Sequence, residues 1–119
     1  MDKINVSNER INSKLAIFLF KEADNFIAYS PALDLSGYGK TEADARASFN
    51  IVLREYFDYA IHEGTLYQDL KNHGWILKKN EIETPKISML ILKNDELSNI
   101  LDKKDFKKYH EPIRVPALA

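Results

Sequence analysis

The sequence contains no cysteine, which excludes disulfide staples, thiolate nucleophiles and cysteine-ligated zinc. Glycine and proline are sparse at four residues each, and no low-complexity linker or internal repeat interrupts the chain. Neither sign of charge prevails. Seventeen basic side chains stand against eighteen acidic ones, a formal charge of −1, so no global field attracts nucleic acid or an anionic membrane. Long apolar runs are also missing, and none approaches the roughly 18 residues of a membrane span. The N-terminal run Leu15–Phe20 is too short for the core of a secretion signal and follows two acids. A cytoplasmic protein is expected. What is present, 45% hydrophobic residues in 119, suffices for one unstapled domain core.

Lys14–Glu22 is short, apolar and aromatic, and is expected to form a strand with both faces at least partly covered. Ala23-Asp24-Asn25 supplies turn chemistry, and Asn25–Pro31 follows as a second strand, so the pair predicts a hairpin. A short third strand is expected near Leu35–Gly39. Thr41–Gly64 then shows the strongest period in the chain. Ala45, Phe49, Val52, Leu53, Tyr56 and Ala60 share one helical stripe, Thr41 and Asp44 form a capping box, and Gly64 stands at the C-terminal stop. Further on, Thr65–Gly74 predicts one or two helical turns and Trp75–Lys79 a strand returning to the sheet. Pro85–Lys93 predicts another strand, Asn94–Phe106 a helix capped by Asn94, and Glu111–Ala117 an extended tail. Residues 1–12 are polar and expected to be loosely held. The chain divides into a core unit, 1–80, and a C-terminal extension, 81–119, packed on the core or used in oligomerisation.

Gly39-Lys40-Thr41 invites a nucleotide-binding reading. A phosphate loop requires a second glycine five residues earlier, so that backbone N–H groups can curl around the phosphates. That position is Asp34, whose carboxylate repels phosphate. The bland reading accounts for every residue: Gly37 and Gly39 relax a strand exit, Lys40 is solvated and Thr41 caps a helix.

The same stretch, Phe26–Leu53, resembles the N-terminal domain of HicB-type antitoxins. It carries Ser30-Pro31 at a strand end, a glycine-containing loop, and the helix start Gly39-Lys40-Thr41-Glu42-Ala43-Asp44-Ala45, with Asp44 in place of the usual glutamate. The resemblance spans about Leu15 to Trp75 and implies a β-β-β-α-β domain with the helix across one sheet face. It also implies a homodimer or larger oligomer that neutralises a small RNA-cleaving toxin, a small basic protein, by direct binding. The family's Pro-Asp-Leu-Pro-Gly-Cys loop is replaced here by Pro31-Ala32-Leu33-Asp34-Leu35-Ser36-Gly37. Glu111–Ala117 looks like the opening strand of a ribbon-helix-helix, but no helices follow, so DNA binding is not expected.

Other constellations favour structural roles. His62, His73 and His110 lack metal-ligand spacing. Asp24, Asp34, Asp44 and Asp58 each have a local turn or helix explanation, which argues against a two-metal nuclease. The serines have no nucleophile elbow. No catalytic residue, cofactor or metal is expected, and the chain is expected not to be an enzyme. Two surfaces remain. The long helix carries more apolar residues than one face buries, which makes Ile51, Phe57, Tyr59 and Ile61 a candidate partner interface unless the C-terminal segment covers them. Coverage by that segment is the expected outcome. The run Asp102–Lys108 offers Lys103, Lys104, Lys107 and Lys108 as candidate nucleic-acid contacts, with a solvated helix end as the simpler reading. The function expected is an antitoxin-type protein-binding module, and the alternative is a stand-alone domain that binds RNA or a small ligand.

Overall fold

The computed structural model describes residues 6–79 and 81–118. The elements run β1 (Val6–Glu22), β2 (Asn25–Ser30), β3 (Leu35–Gly39), α1 (Glu42–Glu63), α2 (Leu66–Asn72), β4 (Ile76–Leu77), β5 (Ile82–Glu83), α3 (Ile87–Ile91), α4 (Asp95–Lys103) and β6 (Phe106–Leu118). Four strands form an antiparallel sheet in the order β3-β2-β1-β6. The fold is α+β, a small antiparallel sheet with one long helix against it and a C-terminal strand, as the sequence predicts.

The β1–β2 hairpin closes through Ala23-Asp24 between the paired residues Glu22 and Asn25, with Ala23 at φ 54. Helix α1 begins where Thr41 Oγ1 accepts the Asp44 N–H at 3.1 Å, and it ends at Gly64, whose φ of 72 lets its N–H reach back to the Ala60 and Ile61 carbonyls. Its inner stripe, Ala45, Phe49, Leu53 and Ala60, packs with Leu15, Ile17, Leu19 and Ala28. Leu66, Tyr67 and Leu70 of α2 join this core, as do Ile113 and Val115 of β6. Burying the Phe49 side chain completely contributes about 1.5–3 kcal/mol. The indole N–H of buried Trp75 donates to the Ala32 carbonyl at 2.8 Å and so ties the exit of α2 to the loop after β2.

Four expectations are corrected. Residues 6–12 are part of β1, held by β6 through pairs such as Ile11 with Val115; residues 1–5 lie outside the described part. The Trp75–Lys79 segment does not return to the sheet, because β4 pairs only with β5 in a separate two-stranded ribbon. Its place beside β1 is taken by β6. Pro85–Lys93 contains helix α3 rather than a strand. Ile87, Leu90 and Ile91 recur at helical spacing, and they cover Phe18, Phe20 and Tyr29 on the sheet face opposite α1. Helix α4 completes this second layer with Leu97 and Ile100, and it starts at Asn94 as expected. Finally, Gly37 and Gly39 have ordinary φ and lie inside β3, where they admit the backbone of α1 rather than relax a turn.

Pro112 and Pro116 both sit in β6 opposite Lys14 and Arg10. Proline cannot donate to a ladder, and an even separation puts both missing N–H groups on the same, open side of the strand. The extension 81–119 thus supplies both an edge strand and the second helical layer.

Candidate functional site

Helix α1 spends its inner stripe on the core, and its outward side retains apolar residues. Ile51 is 59% exposed, Tyr59 69% and Ile61 38%. Phe57 differs from the other three. It is half-buried, with its ring edge-on to Tyr56 at 5.3 Å, and belongs to the rim of the core. The C-terminal segment does not cover this surface, because α3 and α4 occupy the far face of the sheet, where Phe18, Phe20 and Tyr29 demand burial. Glu55 and Asp58 are exposed among the apolar side chains.

Tyr56 turns inward and donates its hydroxyl to Asp69 of α2. Burial and that acidic partner push the phenol well above its ordinary range. His73 ends α2 with Nδ1 2.8 Å from the Asp69 carbonyl oxygen and 3.6 Å from its carboxylate, a contact within the last turn of α2. His62 lies in the last turn of α1 and His110 on β6. Asp24 is in the hairpin turn, Asp34 follows β2, Asp44 opens α1 and Asp58 faces solvent. Among the described residues no three histidine or carboxylate side chains converge on a metal position.

The lysine run is dispersed by the strand it enters. Lys103 closes α4, Lys104 pairs with Glu22 at 3.7 Å, and Lys107 pairs with Glu42 of α1 at 2.9 Å. Lys108 points to the opposite sheet face, its ammonium 5.9 Å from the Phe18 ring centre. Alternation along β6 splits neighbours that the sequence presents together.

Two clefts flank α3. The larger, about 960 Å³, opens between the end of α2, the loop after β2 and the start of α4. Lys71, Lys86 and Lys93 balance Asp34, Glu83 and Asp95 around it, so it favours ions of neither sign. At its wall the Tyr29 hydroxyl donates to Asp34 at 2.8 Å and accepts from Asn94 Nδ2 at 2.8 Å, while Asn94 Oδ1 caps α4 through the Leu97 N–H at 3.0 Å. Burial first, and Asp34 second, push the Tyr29 phenol up to about 12, with the Asn94 contact opposing. The smaller cleft, about 300 Å³, is bordered by Lys14, Lys86, Lys108 and His110 with no acid among its lining residues. Sequence reasoning missed this group. The β1–β6 register brings Lys14, Lys108 and His110 together and the start of α3 adds Lys86, and no local motif marks them.

No protein-family profile, curated protein or solved structure matches the chain. Among the described residues no helix is long and apolar enough to cross a membrane.

Proposed function

We propose that the chain is an antitoxin-type protein-binding module of HicB-like character. It acts in the cytoplasm as a homodimer or larger oligomer and neutralises a small, basic, RNA-cleaving protein by direct binding. One observation carries the reading: Ile51 and Tyr59 stand more than half exposed on a long helix that is capped at both ends and anchored along its other side. Exposed aromatic and branched side chains on a rigid element are what a contact surface requires. Glu55 and Asp58 beside them suit a basic partner. The segment that resembles the family, Phe26–Leu53, forms two strands and a Thr41-capped helix lying on them, which supports the reading. The surface works by contact and no catalytic step is assigned to it.

The test is capture of the tagged full chain from its native cytoplasm beside an Ile51→Asp/Tyr59→Asp variant with an unchanged circular dichroism spectrum. One small basic protein should copurify at near-stoichiometric yield with the parent chain and be lost from the variant. The same protein, purified, should cleave RNA until the parent chain is added. Equal recovery by the variant, or recovery of the chain alone, would overturn the proposal.

A further inference from the structure

The smaller cleft lies on the opposite side of the sheet from α1 and has a chemistry of its own. Three cross-strand pairs build its floor: Lys14 with Pro112, Ala16 with His110, and Phe18 with Lys108. Directly paired residues project to the same face, and so do residues two apart on one strand. Lys14, His110 and Lys108 therefore rise from successive rungs of one face, with Ala16 leaving a depression between them. Lys86, immediately before α3, closes the remaining side, and Thr84 adds a hydroxyl donor to the lining. Pro31 and Ile87 supply apolar wall.

Charge separates this cleft from its neighbour. The larger cleft sets three lysines and a histidine against three acids, whereas this one, which shares Lys86 with it, has three lysines and a histidine and no acid. Among the described residues no ion pair engages Lys14, Lys86, Lys108 or His110. Lys14 and Lys108 stand on one face with no acid in the cleft between them, and in a chain with a net charge of −1 that concentration does not follow from composition. An anion seated over Ala16 relieves the repulsion among these lysines.

We propose that this cleft is a phosphate-binding site. The ammonium groups of Lys14, Lys86 and Lys108 neutralise the anion, and the His110 ring and the Thr84 hydroxyl donate hydrogen bonds to its oxygens. A volume near 300 Å³, open on one side, accommodates one phosphate group carried by something larger. The carrier is a small phosphorylated molecule or a single nucleic-acid strand, and the shared recognition is of the phosphate.

The experiment is a binding titration of the full chain with two probes, adenosine monophosphate and a fluorescent single-stranded RNA 12-mer, each across a salt series. Lys14→Gln/Lys108→Gln should weaken whichever probe binds at least tenfold. If the strand binds, its slope of log affinity against log salt should fall by about 0.7 for each lysine that contacts a phosphate. Lys103→Gln/Lys107→Gln removes the same charge away from the cleft and should leave both titrations unchanged. Ala16→Glu, which puts a carboxylate on the floor, should abolish binding. Binding of the mononucleotide identifies a small-molecule site, and binding of the RNA alone identifies a strand site. No binding of either probe overturns the proposal, as does equal weakening by the Lys103/Lys107 control.

Discussion

A β-carbon placed on Gly37 would lie 2.3 Å from the backbone nitrogen of Phe49. Gly39 stands in the same relation to Asp44, at 2.4 Å from its Cβ. Two residues apart on β3, these glycines share the face on which α1 rests, so the helix meets the strand backbone to backbone. The glycine-lysine-threonine triplet is thus part of a packing device: Gly39 admits the helix, Thr41 caps it, and Lys40 between them is exposed.

Gly37→Ala should therefore destabilise the protein by about 1–3 kcal/mol, since backbone and not a flexible side chain must move. Lys40→Ala should stay within about 0.5 kcal/mol of the parent. Urea unfolding followed by circular dichroism measures both. Equal midpoints for the Gly37 variant and the parent would show that α1 does not need this approach.

Asn94 ties the second helical layer to the sheet by capping α4 and donating to Tyr29. Asn94→Ala should cost about 1–2 kcal/mol, through the lost cap and the lost hydroxyl partner. The loss should be local. Amide exchange should accelerate in α4 and much less in α1, whose Thr41 cap and inner stripe are untouched. Uniform acceleration in both helices would contradict the independence of the two layers.

Tyr29 predicts an alkaline limit. Its phenol is raised from the ordinary 10 to about 12, so the folded state holds its proton where the unfolded state has released it. The stability this provides is complete below pH 10 and declines as pH rises to about 12. Tyr56, Tyr67 and Tyr109 are also raised, chiefly by burial, and add to the slope. Tyr29→Phe should therefore show a shallower fall of the urea midpoint over this range. An identical slope in parent and variant would mean that Tyr29 titrates normally.

Legibility followed the range over which each signal acts. The candidate interface could be named from helical spacing alone, and Ile51, Tyr59 and Ile61 do face outward. Phe57 could not be separated from them, because its half-buried position depends on where the Tyr56 ring goes once Asp69 takes its hydroxyl. In Pro85–Lys93 the apolar residues Ile87, Leu90 and Ile91 fit a helix, but the run is too short for period alone to decide against a strand. The lysine run misled for a related reason. Adjacency in sequence becomes opposition in a strand, so Lys107 reaches Glu42 while Lys108 reaches Phe18.

The amino-acid order by itself determined the β1–β2 hairpin, the start and stop of α1, and the Asn94 cap of α4. Each rests on interactions within a few residues: a turn, a side-chain cap, or a glycine free to take a positive φ. Only the tertiary structure decided that β6 lies beside β1, that α3 and α4 cover the face opposite α1, and that three lysines and a histidine border one cleft. The β1–β6 pairs alone join residues from 86 (Phe20 with Phe106) to 112 (Val6 with Leu118) positions apart. Their register is set by which apolar faces must be buried against each other, as in Ile17 opposite Tyr109 and Phe20 opposite Phe106. No local pattern encodes that competition, and it is resolved only when both faces of the sheet are covered at once.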